Sequence, residues 1–350
     1  MPTPLSKTTL RAVGFVTAIC LLGACAYAVT RDFDSFSAAL SQVITAPRWQ
    51  LAGLVLLPAV NWLLTSQVFR TLLRPREGET YTTPSRTEML DLVGAAWLAN
   101  YTPIRAGLIG RVVYHKAVNN IPVARTIHSI IMAMAVGISA VTVLIILVRL
   151  LPPSAHWFVC APPFAFLALG AAAGRVRASW QSLCIAAAIR YVDVLVWTAR
   201  YALAFSLVGV SLDLRQAAAF AAVSQAAMLV PIVGNGLGVR EFAIGFVASA
   251  LPAAFTGSPA ASPERTIALT ADFLNRAGEL AAAIPIGLIC GVRLTARMNA
   301  RRSAQNSTPT DGSTSPTETN SNTIPTLLSQ TQPMSQIPTP NSQTNAGDRT

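Results

Sequence analysis

The chain has 350 residues, of which 52% are apolar and only 12% charged, and its mean hydropathy is +0.49. A soluble globular chain carries about 25% charged residues, so this composition excludes a soluble enzyme and a disordered hub and points to a polytopic membrane protein. The net charge of +11 would suggest nucleic acid in a soluble protein, but here the basic residues cluster between apolar runs, and anionic lipid headgroups are the expected counterion.

The first apolar run, Leu10 to Thr30, follows Lys7 and Arg11. Leu22-Gly23-Ala24-Cys25 has the look of a lipoprotein cleavage box. At about 20 residues, and with many spans after it, the run reads instead as a membrane crossing. Gln50 to Phe69 is the second run, with Trp49 and Trp62 placed for an interface. Met89 to Tyr114 differs: its apolar first half reaches Pro103, and a short second half carries Arg105 and Arg111. Neither half is long enough to span. Ile121 to Leu150, Trp157 to Ala173 and Leu183 to Val210 are full runs, the last carrying Arg190, Asp193 and Arg200. Ala217 to Leu251 is broken again, at Pro231 and the glycines that follow, and Thr266 to Val292 closes the membrane part with Asp272, Arg276 and Glu279.

The expected fold is therefore an all-α polytopic membrane protein with six full spans and two re-entrant broken-helix hairpins. The membrane domain covers residues 1–302. The Ser/Thr/Pro/Asn-rich tail, 303–350, cannot bury enough apolar surface to offset ordering entropy and reads as disordered. With both termini in the cytoplasm, Lys7, Arg11, Arg70, Arg74, Arg76, Arg86, Arg111, Lys116, Arg125, Arg175, Arg177, Arg293, Arg297, Arg301 and Arg302 lie inside. Only Arg31, Arg48, Arg149, Arg215 and Arg265 lie outside, as the positive-inside rule requires. The hairpins then dip in from opposite faces, and irregular backbone at that depth is tolerated only where protein or a water-filled cavity surrounds it. Opposed broken helices of this kind recur around transporter binding sites. The two hairpins share a loose pattern of small residues, Pro, then Gly and Arg.

Four constellations carry candidate chemistry. In Pro231-Ile-Val-Gly234-Asn-Gly236-Leu-Gly238-Val-Arg240-Glu241, alternate glycines permit positive φ, and their amides with the helix start at Val239 suit an anion such as phosphate. The string lacks the GK[ST] of a P-loop and the βαβ context of a dinucleotide fingerprint. A helix break with a packing turn is the plainer alternative. In Pro103-Ile-Arg105-Ala-Gly107-Leu-Ile-Gly110-Arg111, guanidinium groups offer bidentate phosphate contacts, although Arg111 also fits an interfacial positive-inside residue. Asp272 and Glu279 stand at i−4 and i+3 from Arg276, a spacing that also allows the triad to neutralise itself. Arg190 and Asp193 pair at i, i+3, with Arg200 beyond them. The five Cys and three His show no CxxC, HExxH or other metal spacing. No catalytic residue, metal or cofactor is assigned, and no nucleic-acid motif is present.

At these strings the chain resembles the membrane region of lysylphosphatidylglycerol synthases, a family of flippase-like integral membrane proteins that also occurs as stand-alone proteins. The resemblance covers roughly residues 10–298. Pro103, Arg105, Gly107 and Arg111 fit the family's segment in its third apolar stretch. Pro231, Gly236, Gly238, Arg240 and Glu241 fit a later one. Arg276 with Gly287, and Asn61 with Trp62, have similar counterparts. Two departures stand out: Leu108 replaces the usual Glu, and an apolar stretch around Ile130 to Met134 replaces an acidic–basic pair. The soluble aminoacyl-transferase domain of the full synthases has no counterpart here. The resemblance implies lipid handling without lysyl transfer, at a substrate site comprising Arg105, Gly107, Arg111, Gly234, Gly236, Gly238, Arg240, Glu241 and Arg276.

The leading expectation is translocation of phospholipid or a related phosphate-headgroup lipid between leaflets of the inner (plasma) membrane. An enzyme acting on polyprenyl phosphate or another lipid phosphate is the alternative; it would need a general acid/base and a nucleophile beside the arginines. A non-catalytic membrane subunit that recruits a partner protein through the tail is the third.

Overall fold

The computed structural model describes Ser37, Ser41 and residues 44–76, 78–101, 106–229, 238–250 and 264–306. The expected first span, the tail beyond Asn306, Arg105 and the segment from Pro231 to Leu237 lie outside these. Every described element is helical. They are α1 (Arg48–Leu72), α2 (Arg86–Ala99), α3 (Ala106–Val118), α4 (Val123–Leu150), a 3-10 segment (Pro153–Cys160), α5 (Pro162–Ala173), α6 (Ala178–Leu207), α7 (Leu214–Leu229), α8 (Val239–Ala250) and α9 (Glu264–Asn306).

Five helical segments are long and apolar enough to cross a membrane: α1, α4, the 3-10 segment with α5, α6, and α9. They match five of the six expected runs, and the chain has the build of a multi-pass membrane protein. The run at Trp157 opens as a 3-10 helix because Pro153 and then Pro162 and Pro163 each begin a helical segment, where a missing N–H does no harm. The last helix runs 43 residues, roughly 65 Å at 1.5 Å per residue. It continues through Ser303, where the polar tail was expected to start, to Asn306.

The two broken stretches are helix pairs. Ser85 caps α2 with a full capping box to Glu88. The same Glu88 carboxylate accepts from Tyr114 Oη (3.1 Å) and Asn119 Nδ2 (2.9 Å), at and just beyond the far end of α3. The start of α2 and the end of α3 are thereby tied together, and the pair is a hairpin. Close approach near its turn depends on Gly107: a Cβ there would strike the Ala96 carbonyl oxygen and come 2.6 Å from Asn100 Oδ1. α7 and α8 fold back likewise, with Phe220 and Ala221 early in α7 in one core cluster with Ile244 and Ala248 late in α8.

The hairpins start from opposite ends of the bundle. Arg125, at the start of α4, donates from Nη2 to the Leu72 (3.1 Å) and Arg74 (3.0 Å) carbonyls, satisfying orphan acceptors at the end of α1. It also pairs with Glu79 (3.3 Å). Burial pushes the Glu79 carboxyl up, but the Arg76 amide, the Tyr81 hydroxyl and the Arg125 guanidinium together hold it below its ordinary value. α2 leaves from this end. At the other end, Arg215 of α7 donates to the Leu151 carbonyl beyond α4 (3.1 Å).

α9 is a strut that meets α1, α2, α3, α6, α7 and α8. Pro58 in α1 has no amide hydrogen for the Leu54 carbonyl, and Gly278 of α9 packs against that same carbonyl, where a Cβ would clash with it. Farther along, Gly287 lies on Leu98, and Asp91 of α2 takes Arg297 at 2.9 Å. Of the two tryptophans expected near an interface, Trp62 is partly buried and its indole donates to the Leu90 carbonyl at 3.1 Å, while Trp49 is 68% exposed.

These contacts predict opposite outcomes for two α9 glycines. Gly278→Ala forces α1 and α9 apart and lowers stability by about 1–3 kcal/mol. Gly291→Ala, with nothing within 4 Å of the new methyl, gains up to about 1 kcal/mol of helix propensity. Thermal unfolding in detergent reads both.

Candidate functional site

The polar residues of α9 recur at Asp272, Asn275, Arg276 and Glu279, a single stripe at helical spacing. All four are buried, Asp272 and Asn275 completely. α6 presents Asp193, Trp197, Arg200 and Tyr201, all buried, at the same spacing. Buried charge is tolerated only when paired, and the pairing here runs between helices.

Arg240, at the start of α8 and 0% exposed, places Nη2 2.6 Å and Nε 3.0 Å from Asp272 Oδ1. The Tyr201 hydroxyl donates to the same oxygen at 2.9 Å. Arg240 Nη1 is 3.7 Å from Glu279 Oε2. Arg200 donates from Nη2 to Glu279 Oε2 (2.8 Å), from Nε to Asn275 Oδ1 (3.0 Å) and from Nη1 to Asn61 Oδ1 (3.2 Å). Its guanidinium also stacks 4.0 Å from the Trp197 ring centroid, a cation–π contact strengthened by desolvation. Asn61 Nδ2 donates to Asp193 Oδ1 at 2.6 Å. Asp193 is bridged by Arg190, which also donates to Gln225 Oε1 at 2.9 Å. Four arginines thus face four carboxylates, and the cluster is neutral.

Glu279 joins the two hairpins. Its Oε1 accepts from Tyr101 Oη (2.8 Å) and Trp97 Nε1 (3.3 Å), at the turn of the first. Its Oε2 faces Arg200 of α6 and Arg240 at the start of α8 in the second hairpin.

Several expectations change. The triad on α9 does not neutralise itself: Arg276 Nε is 3.8 Å from Asp272 Oδ2, while Arg276 Nη2 sits 2.8 Å from Glu241 Oε1 on α8. Arg240 pairs with Asp272 and not with its neighbour Glu241. Arg200 belongs with Glu279, not with the Arg190–Asp193 pair, which forms as its spacing allows. Gly238 has φ +82°, a conformation that favours glycine. Its amide does not await an anion, because it donates to Glu241 Oε2 at 2.6 Å, one half of a capping box. Gly107 is a packing residue, as its contact with Ala96 shows. Arg111 is buried on the Phe69 ring, 4.0 Å from its centroid, with Nε unbonded among the described residues. It is thus not an interfacial side chain in water. Arg105, Gly234 and Gly236 fall outside the described residues.

Trp97, Tyr101, Tyr201, Asn275 and Gln225 are the participants that sequence reasoning missed, and Asn61 was marked only by the resemblance. For Asn275 a signal existed: it continues the polar stripe of α9. Among the described residues no three His, Cys, Asp or Glu side chains converge as a metal site. Comparison with known proteins finds no matching family model, no matching curated protein and no matching solved structure.

Among the described residues, three guanidiniums of this cluster leave donors without a hydrogen bond: Arg276 at Nε, Nη1 and Nη2 (the last held only as an ion pair to Glu241), Arg240 at Nη1 and Arg190 at Nε; Arg276 is only 6% exposed. Such orphan charged donors cost free energy that a bound anion would recover.

The pairing predicts a double-mutant cycle. Arg240→Gln or Asp272→Asn alone strands a buried charge and destabilises by about 3–5 kcal/mol. The double variant removes both charges and is milder than either single, a coupling read by thermal unfolding in detergent.

Proposed function

We propose that the protein moves a lipid with an anionic phosphate headgroup between the leaflets of the plasma membrane, and that it is a stand-alone relative of the membrane region of lysylphosphatidylglycerol synthases. In this reading the hairpins α2–α3 and α7–α8 re-enter the bilayer from opposite faces, and both termini are cytoplasmic. The observation that carries it is Arg276: a guanidinium more than nine-tenths buried, none of whose three nitrogens makes a hydrogen bond among the described residues, beside the Glu279 that joins the two hairpins. A phosphate oxygen suits those donors better than water does, since charge-assisted bonds to a guanidinium fork are short and strong. The headgroup is also the part of a lipid that needs a polar surrounding at membrane depth. The neutrality of the cluster fits translocation, because an arriving anion is held by spare donors and not by a net positive trap. An enzyme acting on a lipid phosphate is less well supported: Asp193, Asp272, Glu241 and Glu279 are each held by a guanidinium, which disfavours a general base among them.

In proteoliposomes with a headgroup-labelled phosphatidylglycerol, Arg276→Ala slows flipping by about tenfold or more, the loss of one charge-assisted contact. Arg276→Lys is also impaired, because it loses the planar fork. Arg276→Ala with Glu241→Gln regains stability without regaining transport. Full-rate flipping by that folded double variant would remove the basis of the proposal. For topology, a periplasm-active reporter fused to the C-terminus stays silent.

A further inference from the structure

A lateral groove of about 410 Å³ lies between α1, α4, α6 and α7, within the ~300–1,000 Å³ typical of small-ligand sites. Its walls are mostly apolar, from Thr65 and Phe69 of α1 to Met134 and Ile138 of α4. The last two are 38% and 51% exposed, near the middle of a 28-residue span. At that depth exposure means contact with hydrocarbon, so the groove opens sideways into the bilayer.

Beside the hydroxyls of Thr65 and Thr142, two side chains with N–H donors line the same groove, Arg190 and Gln225. Gln225 is 6% exposed, and its Nε2 has no partner among the described residues. Its orientation is fixed, because Oε1 accepts from Arg190 Nη2, so the amide hydrogens must point elsewhere. Arg190 Nε is likewise buried without a partner. Gly137 makes room for that guanidinium: a Cβ there would sit 3.1 Å from Nε. A purely hydrocarbon occupant would leave both donors unsatisfied in an apolar wall, a costly state. The fitting occupant pairs a hydrocarbon chain with an uncharged acceptor close to it, since Asp193 already neutralises Arg190.

We infer that this groove is a binding site for one acyl chain of a membrane glycerophospholipid, its ester carbonyl accepting hydrogen bonds from Gln225 Nε2 and Arg190 Nε. The inference rests on the membrane placement of α4 assumed in the proposed function, but not on translocation itself. It also places the chain site in contact with the charge cluster, through Arg190, Asp193, Asn61 and Arg200.

The test uses the full chain in phosphatidylglycerol nanodiscs doped with phospholipid carrying a photoreactive diazirine in its acyl chain, in ester-linked and ether-linked forms. Peptide mass spectrometry then maps the adducts. The ester lipid should label Met134, Ile138 and Ala222 above exposed apolar residues elsewhere, such as Leu167 and Phe246. The ether lipid, which has no carbonyl, and the Gln225→Leu variant should each reduce that labelling by about tenfold. Ala222→Trp should fill the groove and remove the labelling. Equal capture of ester and ether lipids by the unaltered chain, an even belt of adducts, or preferential labelling by a photoreactive polyprenyl phosphate would overturn the inference. Flipping assayed on the same preparation separates the two ideas: ester-selective labelling without transport sinks only translocation, and transport without it sinks only the groove.

Discussion

One carboxylate, Glu279, holds the architecture to a single solution. Its two oxygens face different halves of the protein, Tyr101 and Trp97 on one side and Arg200 and Arg240 on the other. Each hairpin alone is a pair of helices of 12 to 16 residues, too short to cross a bilayer. If they re-enter the bilayer as proposed, their inner ends would carry unpaired backbone and side-chain donors into hydrocarbon. Bringing both ends to one carboxylate on a long, continuous helix supplies the acceptors in one place. A neutral residue at 279 would leave two guanidiniums, a phenol and an indole without a common partner.

The rest of the cluster follows from the requirement that buried charge sum to zero. Arg200 is spread over Glu279, Asn275, Asn61 and the Trp197 face, so one cation is solvated by four helical side chains in place of water. Arg276 is served least. Its best contact is the Glu241 carboxylate, which is itself turned toward the Gly238 amide by the start of α8. The shortage at Arg276 is therefore built in by the helix cap beside it, and it is local: Arg240, on the same turn as Glu241, is bonded twice to Asp272.

Five of the six expected spans were legible from length and apolarity, and the two interruptions between paired short helices from Pro103 and Pro231 with the glycines near them. The polar stripe of α9 was legible from spacing. What could not be read was which stripe faces which, because a carboxylate at i−4 and one on another helix are equivalent until topology fixes distance. Asp272 therefore looked like a partner for Arg276 but serves Arg240. Neutral participants were hidden for another reason: Tyr101, Trp97 and Gln225 carry no charge to mark them, and Asn61 stood out only through the resemblance. Gly107 and Gly238 were visible as special positions, but whether a glycine admits a ligand, a neighbouring helix or a positive φ is decided by what lies opposite.

Pro285 divides α9 mechanically. It cannot donate to the Ala281 carbonyl, so the ladder is interrupted one turn beyond Glu279. On one side of that gap the helix is clamped to α6 and α8 by ion pairs; on the other it lies along α2 through Gly287, Cys290 and Arg297. A bend at that gap would carry the α2–α3 hairpin with the half of α9 beyond Pro285 and leave the half before it in register against Arg200 and Arg240. The Tyr101 and Trp97 contacts to Glu279 span the two halves, and they are the ones such a bend would stretch first.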